Sequence, residues 1–428
     1  MRIVQITPGT GDFYCGVCLR DRALARALRA RGHDVLMIPM YLPHVTDDED
    51  GPPPTPIFYG GINVYLQQKS ALFRHTPAWF DRLFNAPGLL RLAARGAGWT
   101  SARDLGELTL STLRGAEGRQ AKEVEKLIAW LRTQPAPDVI CLASVLLVGL
   151  ARRLRATFGV PLFATLQGED CFLDSLPAPY RDQAWNLVAD RCADLRRLIA
   201  PSQYYADLMQ RRLRLPPDRV VVIPNGIDLA DLTPATVPPT PPVIGFLARM
   251  HPSKGLATLV DAFIELKQRN RVMDLRLHIA GAETAADRPF VRVQQQKLDA
   301  HGLTAMVQFH PNLDRAAKAQ FLRGLTVFTV PATYGESFGL YILESLACGV
   351  PVVQPRHAAF PEILAATGGG ILCAPDDPQS LADALESLLL DPAKARQLGA
   401  QGRTAVAEKF SAAVMAGRVE DALRMAGR

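Results

Sequence analysis

Cysteine is scarce in this chain. Seven occur in 428 residues, at Cys15, Cys18, Cys141, Cys171, Cys192, Cys348 and Cys373. An odd, scattered set excludes a disulfide framework and fits a reducing compartment. Long apolar runs are missing as well. No stretch of 18 uncharged apolar residues occurs, so no membrane-spanning helix is expected. The start, Met1-Arg2-Ile3-Val4-Gln5-Ile6, has no signal-peptide apolar region and reads at once as a strand. A cytoplasmic protein is expected. Charge of one sign is also thin. The formal charge is +6, and residues 1–235 hold 28 Lys+Arg against 24 Asp+Glu while 236–428 hold 20 against 18. Neither half is a basic domain, so anionic partners are expected but not nucleic acid.

What is present points to a soluble globular enzyme-sized chain. Hydrophobic residues make up 48% and charged residues 21%, which excludes a disordered or fibrous chain. Single cores stop growing at about 250–300 residues, so two or three domains are expected. Short β-type runs alternate with amphipathic helical patterns, the mark of βαβ units and parallel sheets. The first half offers strands at Ile3–Ile6, 34–40, 138–142, 160–165, 198–201 and 219–223. The second offers them at 243–248, 275–280, 305–309, 325–330, 350–353 and 371–373.

Residues 69–133 break the alternation and read as a helical insertion. Its part 69–103 carries six basic residues and one acidic residue, Asp81, among Phe73, Trp79, Phe80, Phe84 and Trp99. Those aromatics either pack inward or form a surface for peripheral contact with anionic lipid or a lipid-linked acceptor. The proline-rich run from Pro234 to Pro242 resists helix and sheet and marks the domain boundary. The expected division is 1–235, 236–410 and a C-terminal helix over 411–428.

Two segments of the second half carry chemistry. In Gly245-Phe246-Leu247-Ala248-Arg249-Met250-His251-Pro252-Ser253-Lys254-Gly255, Arg249 ends a strand and Lys254 opens the next helix. Two cations at a sheet's carboxyl edge suit a diphosphate, one gripping as a fork and one as a point charge. In the segment from Pro331 to Val353, Glu336 lies in a strand-to-helix loop and Glu344 two turns into the helix. Gly335 and Gly339 allow close backbone approach, and amides near Phe338–Leu340 form a helix N-terminus. Carboxylates for hydroxyls beside amides for phosphate are what a nucleotide-sugar requires.

These segments resemble the donor-binding motifs of glycosyltransferase family 4, retaining enzymes of GT-B fold. Arg249 with Lys254-Gly255 is similar to the family's diphosphate clamp, and Glu336 with Glu344 fits its Glu-x7-Glu motif. Leu346-Ala347-Cys348-Gly349-Val350-Pro351-Val352-Val353 and Ile223-Pro224-Asn225-Gly226-Ile227-Asp228 also resemble it. Ala248 stands where the family often has glycine.

The resemblance implies an α/β fold of two Rossmann-like doubly wound domains facing across a cleft. It implies retaining transfer of a sugar from a nucleotide-sugar, of which UDP-sugars are one kind, to an acceptor hydroxyl. Donor contacts would come from Arg249, Lys254, Glu336, Ser337, Phe338, Gly339, Leu340 and Glu344, with His310 near the base. Gly11 and Gly16, in the loop after the first strand, would lie on the acceptor side. Where many members carry a reaction-centre histidine, this chain has Gln167, followed by Glu169 and Asp170. Either that pair caps the next helix or it offers a carboxylate to the reaction, Asp170 as base and Glu169 toward the acceptor. The catalytic set is then Glu336, Arg249, Lys254, Gln167 and Asp170, with no cofactor.

No Asp-x-Asp motif stands at a strand end, so no metal is expected. The run Asp47-Asp48-Glu49-Asp50 reads as a solvated loop, and Cys15-Gly16-Val17-Cys18 lacks the second ligand pair of a zinc site. The acceptor is open: glycan, lipid-linked or small molecule. Two rival classes remain: an epimerase on the same fold, and a non-catalytic nucleotide-sugar-binding protein.

Overall fold

Continuous apolar runs build two parallel sheets. The computed structural model describes residues 1–9, 16–41, 56, 58–59, 67–68 and 102–425. The chain divides into two units. The first comprises Met1–Pro201, Tyr205–Ile223 and Ala416–Arg428, and the second Ser202–Tyr204 and Pro224–Met415.

The first unit holds β1 (Arg2–Thr7), β2 (Asp34–Pro39), β3 (Val139–Leu142), β4 (Leu162–Thr165), β5 (Arg197–Ala200) and β6 (Val220–Val222). They run parallel in the order β2-β1-β3-β4-β5-β6. Of the expected helical insertion, the described part forms the helices Ala102–Arg114 and Ala121–Leu131. Residues 69–101, with the aromatic and basic cluster, lie outside the described residues. So do Gly11, Cys15 and the acidic run at 47–50.

The second unit holds β7 (Val243–Leu247), β8 (Arg276–Gly281), β9 (Val307–Pro311), β10 (Val327–Thr329), β11 (Val352–Pro355) and β12 (Gly370–Cys373). All are parallel, in the order β12-β11-β10-β7-β8-β9. Every residue of β7 is buried, as expected where helices cover both faces. The order reverses between β7 and β10, which pair directly through Ile244 with Val327 and Gly245 with Phe328. Loops leaving such neighbours diverge to opposite sides and open a crevice at the strands' carboxyl ends.

The passage between units differs from the proline-rich position expected. It falls at Pro224. Residues just after it are tied to the second unit. Ile227 bridges Ser411, its amide bonding Phe410 O at 2.9 Å, and Arg315 pairs with Asp228 and Asp231 at 3.0 and 2.6 Å. The last helix, Ala412–Met425, begins in the second unit and from Ala416 belongs to the first. There Glu420 meets Arg31 at 2.6 Å and His33 at 3.4 Å. Among the described residues, no helix is long and apolar enough to cross a membrane.

Candidate functional site

The loops after β7 and β10 bring Lys254 and Glu336 together. The chain leaves β7, passes Arg249 and makes a tight turn, Pro252–Lys254, before the helix Leu256–Arg269. His251 caps this turn, its Nδ1 2.8 Å from Ser253 Oγ. Gly255 closes it with φ +77°, and a Cβ there would lie 1.7 Å from Pro331 O. Only glycine fits both the backbone angle and that approach. The Thr333 amide also donates to Ser253 O at 2.9 Å. The Lys254 turn is thereby pressed onto the loop that follows β10.

That contact delivers Lys254 to Glu336. The ammonium lies 2.6 Å from Glu336 Oε2 and also donates to the Tyr334 hydroxyl. It sits 4.7 Å from the centre of the Tyr334 ring and 5.8 Å from that of Tyr341, within cation–π range. The hydroxyls of Tyr334 and Tyr341 donate to the same Oε2, at 2.8 and 3.1 Å. Burial, then the Glu336 charge, pushes the Tyr341 phenol well above its usual range, so it stays a neutral donor. Among the described residues, Glu336 Oε1 accepts no hydrogen bond.

Glu344, in the helix Leu340–Ala347, has a parallel arrangement. Lys318 reaches its Oε1 at 2.6 Å, and both side chains are largely buried. Arg249 pairs with Asp287, Nε to Oδ2 and Nη2 to Oδ1, each at 3.1 Å. Lys254–Glu336, Lys318–Glu344 and Arg249–Asp287 are thus three of this unit's cation–carboxylate pairs. Gly339, with φ +96°, precedes the first turn of the Glu344 helix. Phe338 is buried beside it, and Ser337 O accepts from Ser202 Oγ at 2.7 Å. The last contact explains why Ser202–Tyr204 belong to this unit.

His310 lies on β9. Its ring packs against His278 and Phe321, with centres 5.5 and 5.7 Å away. Its buried Nε2 has no hydrogen-bond partner among the described residues.

In the first unit, Gln167 and Gly168 follow β4, and Gly168 has φ +104°. Glu169 turns inward. Its Oε1 accepts from Ser144 Oγ at 2.8 Å and the Val145 amide at 3.3 Å, and its Oε2 from the Gln167 amide at 2.7 Å and the Tyr205 hydroxyl at 3.3 Å. Burial raises its pKa. Both oxygens thus accept from groups after β3, after β4 and from Tyr205, so Glu169 ties these segments together. Asp170 is nearly buried, accepts from Tyr205 at 2.8 Å, and is likewise raised by burial. The cap residue of their helix, Glu169–Ser175, is Gly168, and the Asp170 carboxylate also accepts from the first-turn amides of Cys171 and Asp170. Gly16 opens the helix Gly16–Ala30.

Sequence reading missed Asp287, Lys318, Tyr334, Tyr341 and Tyr205. Among the described residues, no group of three or more His, Cys, Asp or Glu is placed to hold a metal. The second-unit residues suit a ligand with a diphosphate and hydroxyls: two side-chain cations on the segment after β7, and two carboxylates with a helix start on the segment after β10.

Known proteins share this organisation. The family described as Glycosyltransferase Family 4 matches residues 106–231, and Glycosyl transferases group 1 matches 233–405. A D-inositol 3-phosphate glycosyltransferase of Arthrobacter sp. (strain FB24) is 32% identical over 227 residues, 51% of this chain and 50% of that protein. The chain spans about half the length of the first curated relatives it matches. A phosphatidyl-myo-inositol mannosyltransferase of Mycolicibacterium smegmatis is 27% identical over 408 residues, covering 91% of this chain and 85% of that protein. The solved structure of Anabaena Alr3699/HepE in complex with UDP superposes with a TM-score of 0.70 at 16% identity, over 99% of this chain and 100% of that one. The fold is the GT-B architecture of two Rossmann-like domains.

Proposed function

The chain belongs to glycosyltransferase family 4, and on that premise we propose that it is a retaining glycosyltransferase using a nucleotide-sugar donor. The observation that carries the reading is the Lys254–Glu336 pair at the β7–β10 crevice, with Arg249 on the same loop as Lys254. As the glycosidic bond stretches, negative charge grows on the departing diphosphate. Cations already fixed in place stabilise that charge most in the transition state. Glu336, with one oxygen unclaimed, accepts from a hydroxyl of the donor sugar. Glu344, whose Oε1 is held by Lys318, accepts from the ribose through its other oxygen.

A UDP-sugar is the first donor to test, because a protein of the same fold was solved with UDP. Inositol 3-phosphate and phosphatidyl-myo-inositol are the first compounds to offer as acceptors, since the relatives' names contain them. Charge neutralisation by Arg249 and Lys254 supports a reaction that needs no metal. Cytoplasmic action fits the buried free cysteines Cys192, Cys348 and Cys373.

The test is nucleoside diphosphate release from a panel of UDP-, GDP- and ADP-sugars, with each acceptor and with chelator present. Release that requires an acceptor and survives chelation supports the reading. Binding without release under every condition favours a sensor, and sugar interconversion without release favours an epimerase.

A further inference from the structure

We propose that Asp287 is a positioning residue for the diphosphate clamp, acting through Arg249; the proposal rests on the donor-site reading above. Arg249 leaves the end of β7 with its side chain 51% exposed. A long side chain that exposed samples many rotamers, and ordering it on ligand binding costs entropy. Asp287 removes much of that freedom beforehand.

The carboxylate is built for this. Asp287 is 2% exposed and stands at the start of the helix Arg288–Ala300. Its Oδ2 accepts from the Thr284 amide at 3.0 Å and the Thr284 hydroxyl at 2.6 Å, besides Arg249 Nε. Its Oδ1 faces Arg249 Nη2 at 3.1 Å. Two parallel contacts fix the plane of a guanidinium as one contact cannot, and leave its outer edge for a second anion. Burial acts to raise the Asp287 pKa, but hydrogen bonds from Thr284 and then Arg249 outweigh it and hold the group below its usual range. The carboxylate is therefore ionised.

The backbone brings the partners together. Gly281, at the end of β8, has φ +139°, and a Cβ there would lie 1.7 Å from Ala248 O. That approach lets the loop after β8 run beside the loop after β7, and the Met250 amide bonds Ala282 O at 2.9 Å. An ordinary exposed ion pair contributes little because both partners stay mobile. Here one partner is immobile and buried.

The experiment is a double-mutant cycle with Arg249→Gln and Asp287→Asn, read by kcat and KM for donor turnover and by calorimetric UDP binding. Asp287→Asn is expected to lower kcat/KM about tenfold or more in the wild-type background and to add nothing once Arg249 is Gln. Thr284→Val, which keeps Asp287 and its packing, should give a smaller loss in the same direction, so the proposal is testable even where Asp287→Asn fails to fold. Equal losses from Asp287→Asn or Thr284→Val in both backgrounds would overturn it as a merely structural effect. Should the wild type bind no UDP or other nucleoside diphosphate, the donor-site reading falls and takes the proposal with it. Binding by the wild type with independent effects removes the proposal alone.

Discussion

Lys254 and Glu336 meet at 2.6 Å on one carboxylate oxygen, Oε2, and leave the other oxygen to accept. The pair is a divided device: the side toward Lys254 is charge-balanced, and the side away from it is open. Removing either partner should therefore harm turnover for a different reason. If Lys254 faces the leaving diphosphate as proposed, Lys254→Ala removes a cation from it, and kcat should fall by about 10²–10³, the range for a lost transition-state donor. Glu336→Gln keeps the shape but weakens the acceptor, and its loss should appear in kcat as well. Unchanged kcat in both variants would show that the crevice is not the donor site.

The Tyr341 hydroxyl donates to that same carboxylate. Tyr341→Phe keeps the ring, which packs 6.1 Å from the Phe328 ring. It deletes only the 3.1 Å bond to Glu336. A hydrogen bond to a charged group contributes roughly 1.5–3 kcal/mol, so a loss of about tenfold in kcat is expected with little change in Tm. Steady-state kinetics beside a melting curve checks it. A large Tm drop with normal kcat would make the hydroxyl a structural group only.

Gly255 sets the register of the Lys254 turn. Gly255→Ala meets both a left-handed backbone angle and Pro331 O. Gly302→Ala, in the same unit at φ +65°, meets nothing within 4 Å. The control should cost about 1 kcal/mol, the backbone term alone. Gly255→Ala should cost clearly more and weaken UDP binding. Similar unfolding free energies for the two would mean that the close approach to Pro331 is not a constraint.

The first unit carries a pH-dependent tether. Hydrogen bonds from Arg31 and then Arg424 hold the Glu420 carboxylate well below its ordinary value, down to about 2. A depressed carboxylate stabilises the fold above its unfolded pKa and loses that effect as pH falls through the folded one. The Tm difference between wild type and Glu420→Gln should be widest at neutral pH and shrink between about pH 4.5 and 2. A difference that stays constant across that window would contradict the assignment.

Parts of this site were legible because they are local. Arg249 and Lys254 flank one turn, and Glu336 and Glu344 share one segment, so spacing alone suggests their chemistry. The strands were legible because parallel sheets covered on both faces leave unbroken apolar runs such as Val243–Leu247. What escaped is non-local. Asp287 lies 38 residues from Arg249, and Lys318 lies 26 from Glu344. Nothing in either local pattern names its partner; the β8 and helix geometry does. Glu169 escaped for another reason. Adjacent acidic residues after a strand suit either a helix cap or a reactive carboxylate, but Ser144 and Tyr205, distant in sequence, supply buried donors that turn Glu169 inward. The unit boundary was displaced because proline content marks where chain is stiff, while docking of Ile227 and Asp228 decides where it belongs.

The central claim is that Arg249 and Lys254 hold a nucleoside diphosphate as it leaves a sugar. The most direct measurement is acceptor-dependent UDP release from a UDP-sugar, compared between wild type and Lys254→Ala with both shown folded by their melting curves. The account predicts release by the wild type and a loss of about a hundredfold or more in the variant. Equal release by the two proteins would contradict it.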